Sequence, residues 1–424
     1  MYLSLRDRPP AGPDARLPRD ARPAPRRVGR AVVVLGMVSL LTDVSSESVA
    51  AILPLYVTGV LGLSAMAYGF VDGLHQGLSA LVRLAGGWLA DRTDRPKWVA
   101  LAGYLLSALA RLLLLFAAGL GSVASVVAVD RLGKGIRTAP RDAMISASAP
   151  PEHLGRAFGV HRMLDTLGAA LGPLVAFGVL WAVPGGHRVV LVVSLAFAVV
   201  GVALLGLLGP DVRLRGPDGA ADREADGDPP RVRLRDLADR RLRPLLLVAA
   251  GLGVLTVGDG FLYLALLEQG GIAAVWFPLM YVGTNVVYLL LAVPVGRLSD
   301  RVGRARVLVA GHAVLAVAYL CATAVEPAAV AVVATLLLLG LFYAATDGVT
   351  AALAGRLVPV QARASGIAAA QTVVALARMA ASFGFGFLWL TLGVRTALLV
   401  VAAGLAVAVL AAATRVRRLD EAAA

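Results

Sequence analysis

Cysteine is almost absent from this sequence, since Cys321 is the only one among 424 residues. A single cysteine cannot form a disulfide bond or a paired-cysteine metal site within one chain, so neither redox chemistry nor a cysteine-bound metal is indicated. Charged residues are also scarce, at 16%, whereas 58% of the residues are hydrophobic and the mean hydropathy is +0.79. This composition is too apolar for an ordinary soluble protein of this length, and we expect a multi-pass integral membrane protein.

The apolar segments lack the alternation of polar and apolar residues that membrane β-barrels need. They are continuous, as at 123–129 and 330–341, and they recur at lengths of about 20 residues, which suits a helix that crosses the hydrocarbon core. Because backbone groups in lipid must form their hydrogen bonds within the segment, we expect helices. Twelve spans are predicted, at approximately 31–57, 66–90, 98–119, 123–147, 157–183, 188–209, 244–267, 274–297, 306–325, 329–354, 364–391 and 395–414.

Two polar segments flank the first group of six spans. One is a tail dense in Pro and Arg, and the other is a linker rich in Arg, Asp, Gly and Pro. Neither composition can bury a core, so both are predicted to be disordered. The tail has no short apolar region followed by a small-residue cleavage site, and we expect it to be retained. The predicted organisation is a basic tail at 1–30, a six-helix bundle at 31–209, a linker at 210–243, a second six-helix bundle at 244–414 and a tail at 415–424.

Basic residues are concentrated in alternate loops and in both tails. Short loops rich in Lys and Arg stay in the cytoplasm, so both termini are predicted to be cytoplasmic, in the plasma (inner) membrane of a prokaryotic cell. The formal net charge of +13 is then explained by topology and does not indicate a nucleic-acid partner. Basic loops can instead contact anionic membrane lipid.

One phrase occurs twice, each time between two apolar stretches: GWLADRTDRPK at 87–97 and GRLSDRVGRAR at 296–306. A second phrase also recurs at a similar offset, because Pro151, Arg156 and Gly159 are matched by Pro359, Arg363 and Gly366. The two halves are therefore predicted to be a duplication. The residues of the first phrase are Gly87, Asp91, Arg92, Arg95 and Lys97 in one copy and Gly296, Asp300, Arg301, Gly303, Arg304 and Arg306 in the other, with Asp94 at the position of Gly303.

This repeated loop resembles the signature loop of the major facilitator superfamily of secondary transporters, and span number and linker position match that family from about residue 30 to 414. The resemblance implies an all-α membrane fold with two six-helix halves related by a pseudo-twofold repeat. It also implies that the repeated loops act in conformational change, and that spans one, four, seven and ten line a path near the bilayer midplane. A small-molecule substrate, a functional monomer and no cofactor are expected.

Ionisable residues inside spans are costly to bury and mark candidate functional sites. Asp43 and Glu47 lie four residues apart in the first span and share one helix face. Two carboxyl groups this close in a poorly hydrated site can take up and release a proton near neutral pH, so both are candidates for proton coupling. By resemblance, Arg131 is the closest match to a fourth-span arginine linked to proton coupling. The alternative is a structural role, with the carboxylates paired to arginines of a neighbouring helix.

The fourth span carries an unusual stripe of positive charge, formed by Arg131, Lys134, Arg137 and Arg141 at three- and four-residue spacing. The resemblance implies that this stripe faces the path and the first-span carboxylates. Its residues could bind an anionic group of the substrate or adjust proton binding by the carboxylates; internal ion pairing is the alternative. The second half adds two substrate-binding candidates on path-lining spans, Asp259 and Asp347.

Weaker candidates lie on spans two, five and eleven, where they could gate the halves or pair across helices: Asp72, His75, His161, Asp165 and Arg378. They do not suggest a metal site. The partners of Arg83 and Arg111 are not assigned.

Span five also contains GAALGP at 168–173, which is similar to a motif of antiporters in the superfamily. Gly172 and Pro173 would permit close helix approach and bending. This favours export, although generic membrane packing explains the same residues equally well.

Two classes of function remain. The first is a proton-coupled transporter that exports a small organic molecule, anionic or amphiphilic, by alternating access, with uptake or exchange of an organic anion as the alternative direction. The second is a receptor or lipid-handling protein with the same fold. An enzyme is not expected, because the sequence has no Walker loop, paired-cysteine metal site or recognisable nucleophile arrangement.

Overall fold

A computed structural model describes residues 29–150, 153–213, 242–270, 272–324, 328–358 and 363–423. All regular structure within these ranges is helical. The predicted N-terminal tail up to residue 28, the predicted linker from 214 to 241, Pro151 and Pro359 lie outside the described residues.

Thirteen α-helices follow one another within these ranges, and most lie within a few residues of the predicted spans. A π-helical turn at Tyr56–Val60 extends the first of them. The helices are α1 (Arg30–Leu55), α2 (Ala65–Thr93), α3 (Pro96–Leu114), α4 (Leu120–Ala147), α5 (Leu154–Ala182), α6 (His187–Leu208), α7 (Arg243–Gly253), α8 (Asp259–Gly270), α9 (Phe277–Val302), α10 (Arg304–Cys321), α11 (Ala328–Arg356), α12 (Arg363–Leu392) and α13 (Val394–Ala423).

The count of thirteen exceeds the predicted twelve because span seven is broken. The segment 254–258 separates α7 from α8, each of which is too short to cross a bilayer alone. Nine helical segments of the described chain are long and apolar enough to span a membrane. The predicted spans outside this set correspond to α2, α4 and the α7–α8 pair; α4 holds six charged residues, which lower its hydropathy.

The helices form two bundles, which we call the N half (α1–α6) and the C half (α7–α13). In the N half, α1 packs on α5 and α6, and α4 packs on α2 and α3. In the C half, α11 packs on α9 and α10, and α10 packs on α13. Contacts between the halves run from α2 to α12, from α5 to α9 and from α1 to α8 and α9.

The halves pack closely at the end of the bundle remote from the chain termini, which we call the far end. A Cβ atom added to Gly69 would lie 2.5 Å from the backbone oxygen of Ser382, so glycine permits this approach of α2 to α12. The rings of Phe70 and Phe383 stack there with centroids 5.4 Å apart. Phe177 of α5 stacks on Trp276 at the start of α9, with centroids 5.6 Å apart. The helices are therefore joined across the halves by apolar and aromatic packing at the far end.

The two copies of the repeated loop turn the chain sharply at the opposite end, which we call the tail end. Gly303 has φ of +110° and Asp94, at the matching position of the first copy, has φ of +54°. Both residues adopt a positive φ, which glycine tolerates and other residues seldom adopt. The two halves thus share a sharp turn at this position although they do not share its glycine.

Candidate functional site

Four charged residues of the N half form a buried group, which we call the N-half charge network: Arg111, Asp130, Arg131 and Arg137. Asp130 lies at its centre and is 2% exposed. The Nη2 atom of Arg111 lies 3.1 Å from one Asp130 oxygen, and Arg131 binds the other oxygen through both Nε, at 3.0 Å, and Nη2. Arg111, whose partner the sequence did not reveal, also donates to Ser46 over 3.2 Å. The carboxylate thus compensates two buried guanidinium groups.

Arg137 belongs to the same network and points toward α3. It donates a 2.8 Å hydrogen bond to Ser107 of α3 and lies with Cζ 4.6 Å from the centroid of the Tyr104 ring. Ser107 in turn donates to the backbone oxygen of Asp130. Close packing of α3 on α4 makes these contacts possible, because a Cβ atom on Gly133 would lie 2.6 Å from the backbone oxygen of Gly103.

The predicted stripe of positive charge is therefore divided between two environments. Arg131 and Arg137 turn into the N half, because a buried guanidinium needs partners and α3 and Asp130 supply them. Lys134 interacts electrostatically with Asp43 and Glu47 of α1, as expected for a residue that faces the first span.

Arg141 links three helices near the tail end. Its guanidinium lies 3.7 Å from Asp165 of α5, 3.0 Å from Asp142, and within a 3.3 Å hydrogen bond of Ser39 of α1. The same Ser39 hydroxyl is hydrogen-bonded to Nε2 of His161 at 3.0 Å. The weaker candidates of span five therefore lie together with Arg141.

Asp43 of α1 and Asp165 of α5 form what we call the carboxyl pair. The two carboxyl groups interact electrostatically with each other where α1 packs on α5. Two like charges held this close disfavour simultaneous ionisation of both groups. Asp43 therefore has Asp165, and not only Glu47, as its carboxyl neighbour.

A cavity of about 300 Å³ lies between the two halves, and we call it the central cavity. Its described lining contains four carboxyl groups, four tyrosines and one guanidinium group. Six helices of the two halves contribute these side chains, so the lining changes when the halves move relative to each other. The lining residues are Glu47, Ala50, Leu53, Tyr68, Asp72, His75, Gln76, Asp259, Gly260, Tyr281, Thr284, Asn285, Tyr288, Tyr343, Asp347 and Arg378.

Two of the cavity carboxylates are held by neutral donors. Ser382 of α12 donates a 2.6 Å hydrogen bond to Asp72 of α2, which joins the two halves. Tyr343 of α11 donates to Asp259 over 2.7 Å. These hydroxyl donors orient the carboxylates without neutralising them, so the charge remains available to the cavity.

Arg378 is the one guanidinium group in the described cavity lining. Its Cζ lies 5.6 Å from the centroid of the Tyr343 ring. It interacts electrostatically with Asp72 and Asp259, and its Nε atom is buried without a hydrogen-bond partner among the described residues. The cavity thus already holds one cation on a tyrosine face beside two carboxylates.

The break in span seven positions Asp259 at the first turn of α8. A Cβ atom on Gly258 would lie 2.6 Å from an Asp72 oxygen, so the absence of a side chain lets Asp72 approach the break. Tyr319 of α10 accepts a 2.8 Å hydrogen bond from the backbone nitrogen of Val257 and donates one of 3.0 Å to the oxygen of Leu255. Non-helical backbone is tolerated inside a membrane when protein groups satisfy it in this way.

The structure brings six of the predicted site residues together in the central cavity: Glu47, Asp72, His75, Asp259, Asp347 and Arg378. It places others away from the cavity lining, in the N-half charge network or near the carboxyl pair, namely Asp43, Arg131, Lys134, Arg137, Arg141, His161 and Asp165.

The residues of the predicted gating motifs lie at the tail end or along α5. Asp300 forms an ion pair with Arg304, and Arg92, Arg95 and Arg301 are exposed. The side chains at Gly87, Asp91 and Arg83 lie outside the described residues. In α5, a Cβ atom on Gly172 would lie 2.6 Å from Cβ of Glu47, and Pro173 follows inside the helix, so this motif sets the approach of α5 to α1. The position of Gly296 has open space around it.

The sequence analysis did not single out several cavity residues. Tyr68 lies four residues before Asp72, and Tyr343 lies four residues before Asp347. This spacing puts each tyrosine on the same helix face as its acid, which is a signal that could have found both. Asp420 was missed as well: its carboxylate accepts a 2.8 Å hydrogen bond from the backbone nitrogen of Ala305 and thereby joins α13 to the second repeated loop.

No group of three or more His, Cys, Asp or Glu side chains that could hold a metal ion occurs in the described ranges.

The family model described as Major Facilitator Superfamily matches residues 35–284 and 271–423, which is most of the chain. The chain belongs to the Major Facilitator Superfamily. An uncharacterised MFS-type transporter of Methanocaldococcus jannaschii is 31% identical over 374 residues, which cover 86% of this chain and 89% of that protein. An uncharacterised protein of Mycobacterium tuberculosis is 37% identical over 152 residues, 36% of this chain and 37% of its own length.

Solved transporter structures share the fold at low sequence identity. A mutant of the peptide transporter POT superposes with a TM-score of 0.75 at 14% identity, covering 93% of this chain and 96% of that one. The nucleoside transporter NupG superposes with a TM-score of 0.74, also at 14% identity, covering 91% of this chain and 98% of that one. These likenesses establish the architecture. The chain is thus a membrane transporter with the central cavity between its halves.

Proposed function

We propose that this protein is a proton-coupled exporter of a small organic molecule and that the carboxyl pair, Asp43 and Asp165, carries the coupled proton. The position of the pair carries this proposal: the two carboxyl groups interact with each other between α1 and α5, and Arg141 lies 3.7 Å from Asp165. Two carboxyl groups that disfavour each other's ionisation are suited to bind and release one proton. Buried groups that gain and lose a proton within a membrane span are expected in a proton relay. The alternative pair from the sequence has less support, because Glu47 acts on Asp43 less strongly than Asp165 does.

The surroundings of the carboxyl pair link it to the central cavity. Arg141 lies 3.7 Å from Asp165 and favours the ionised form of the pair. Lys134 interacts with both Asp43 and Glu47, and Glu47 reaches the cavity one helical turn along α1. A change of charge at the pair therefore changes the electrostatic balance at a cavity residue, which is what coupling of proton and substrate requires.

Alternating access follows from the way the halves pack. They are joined at the far end by α2 against α12 and by α5 against α9. With the termini in the cytoplasm, as the basic loops predict, this is a state closed to the outside. Rocking of the two halves would open the far end and close the tail end. The close fit of Gly172 against Glu47 on α1 makes α1 and α5 move together, and thus keeps the carboxyl pair intact during that motion.

The motif at 168–173 favours export over uptake. The excess of carboxyl groups in the cavity disfavours exchange of organic anions. A receptor or lipid-handling role has less support, since a non-transporting scaffold has little use for four carboxyl groups around an internal cavity.

The test is transport in proteoliposomes with an imposed pH gradient, using the fluorescent cation ethidium and the fluorescent anion fluorescein in separate experiments. We expect the gradient to drive movement of one of them by the wild-type chain. Asp165→Asn should abolish the response to the gradient while leaving downhill exchange, because it removes one of the two carboxyl groups between which the coupled proton is held. Asp142→Asn is the matched control, since it removes a carboxylate beside Arg141 that is outside the pair.

Gradient-driven transport that persists in both Asp43→Asn and Asp165→Asn would exclude the pair as the proton carrier. Movement that is identical with and without a gradient in the wild-type chain would exclude proton coupling. Imposing the gradient in the reverse sense distinguishes export from uptake.

A further inference from the structure

We infer that the central cavity binds an organic cation, an ammonium or guanidinium group on an aromatic or apolar body, and that Arg378 occupies the cation position when no substrate is bound. The inference rests on the proposed transport function and names its substrate class. It departs from the anionic or amphiphilic substrate that the fourth-span stripe suggested, because the stripe does not line the cavity.

The charge of the lining favours a cation. Four carboxyl groups face the cavity, against the guanidinium of Arg378. Two arginines of the fourth-span stripe that could have balanced them are engaged elsewhere: Arg131 with Asp130, and Arg137 with Ser107. An anionic substrate would meet repulsion from the carboxylates, whereas a cation would supply a missing counter-charge.

None of the four carboxyl groups has a cation at ion-pair distance among the described residues. Arg378 acts on Asp72 and Asp259 through longer electrostatic interactions, and Lys134 acts in the same way on Glu47 of α1. Asp347 of α11 interacts with Tyr288. Asp347 and Glu47 belong to opposite halves. A cation bound between them would therefore contact both halves at once, as a transported substrate must in order to bias their movement.

The faces of tyrosine rings supply a second means of recognising a cation, besides the carboxyl groups. Four tyrosines line the cavity, and three of them, Tyr281, Tyr288 and Tyr343, belong to the C half on the side of Asp347. The structure already contains one cation–π contact of this kind: Cζ of Arg378 lies 5.6 Å from the centroid of the Tyr343 ring, beside the carboxylate of Asp259. A substrate ammonium group can make the same contact with a tyrosine face.

Arg378 has the features of a resident counter-ion. Its charge offsets Asp72 and Asp259, yet the described contacts leave its buried Nε without a hydrogen-bond acceptor. An arginine held loosely in this way can be displaced by a competing cation. Removal of its guanidinium should therefore strengthen the binding of a cation, whereas an anion site would lose its anchor.

The test measures equilibrium binding to the purified full-length chain in detergent at fixed pH, with tetraphenylphosphonium and tetraphenylborate as probes. The two ions have the same shape and opposite charge, so any difference reports on the charge of the site. We expect tetraphenylphosphonium to bind and tetraphenylborate not to bind. Asp347→Asn should weaken phosphonium binding about tenfold, and Arg378→Gln should strengthen it about fivefold. Asp211→Asn, which changes an exposed acid just after α6, is the control and should leave binding unchanged.

Preferential binding of tetraphenylborate, or its loss in Arg378→Gln, would overturn the inference in favour of an anion site. Binding of neither ion, or phosphonium binding that is insensitive to Asp347→Asn, Glu47→Gln and Arg378→Gln together, would overturn it as well. Because the measurement needs no gradient, its failure is distinct from failure of the transport proposal: a chain that moves fluorescein under a pH gradient keeps the proposed coupling and loses the cation site.

Discussion

Spans four and ten occupy matching places in the two halves of this duplicated molecule, but they use their charged residues in opposite ways. In the N half, span four contains six charged residues, and Asp130, Arg131 and Arg137 are buried among α3 and α4. In the C half, the matching span, α11, is almost entirely apolar, yet its one acid, Asp347, faces the cavity. The difference indicates that span four uses most of its charge for internal structure, whereas span ten directs its acid to the central cavity.

Spans one and seven, a second matching pair, differ in helix continuity. Span one is a single long helix, α1, whereas the matching span seven is broken into α7 and α8. The break starts a new helix at Asp259, next to the cavity, and Tyr319 satisfies the exposed backbone. A continuous helix can carry paired groups such as Asp43 and Glu47 on one face, while a broken one presents a helix start to the cavity.

The strongest test of this comparison removes Asp130, the central acid of the N-half charge network. Asp130→Asn leaves two buried guanidinium groups without their carboxylate, and we expect it to cost about 3–5 kcal/mol. The measurement is thermal unfolding of the purified chain in detergent, together with its yield from the membrane. Asp347→Asn is the matched change in the C half and should cost less than about 1 kcal/mol, because Asp347 is exposed to the cavity and has no buried ion pair among the described contacts.

Equal destabilisation by the two substitutions would contradict the division between structural and substrate-facing charge. If Asp130→Asn proves too unstable to purify, the double variant Asp130→Asn with Arg131→Met restores much of the charge balance. Partial recovery of yield in that variant is the expected result.

The second repeated loop provides a test for which we expect an intermediate loss of stability. Gly303 has φ of +110°, and a Cβ atom there would collide with the Asp420 carboxylate. Gly303→Ala therefore strains the backbone and displaces the contact between Asp420 and Ala305, at a combined cost of about 2 kcal/mol. Gly296→Ala is the control in the same loop, because its surroundings are open and alanine favours the helix. An equal fall in apparent Tm for Gly296→Ala and Gly303→Ala would contradict the explanation by the positive φ of Gly303 and its contact with Asp420.

Most of the fold could be predicted from the sequence, because apolar runs of membrane-crossing length and a repeated loop are local signals. The break at 254–258 was missed although Gly258, Asp259 and Gly260 are a local signal of a helix break. The hydroxyl that stabilises it could not be predicted, since it belongs to Tyr319, 62 residues beyond Val257. Long-range partners of this kind leave no periodic trace in a single sequence.

The candidate site was predicted in part. Residues such as Glu47, Asp259 and Asp347 could be found because an acid inside an apolar span is conspicuous. The direction in which Arg131 and Arg137 point could not be found, because a stripe on a helix can face either a cavity or a neighbouring helix. That choice depends on contacts with Asp130 and Ser107, and on the closeness of Gly103 to Gly133, which are properties of packing.

The first repeated loop offers the smallest expected effect and compares the halves directly. Asp94 has φ of +54° where the second copy has glycine, so the first loop carries backbone strain that the second avoids. Asp94 also has interactions of its own, so the informative comparison is Asp94→Gly against Asp94→Ala, which both remove the carboxylate. Because only glycine relieves the left-handed conformation, Asp94→Gly should be the more stable of the two by about 1 kcal/mol in thermal unfolding. Equal stability of the two variants would mean that the first loop relaxes to a different turn, and that the halves share a sequence motif there without sharing its geometry.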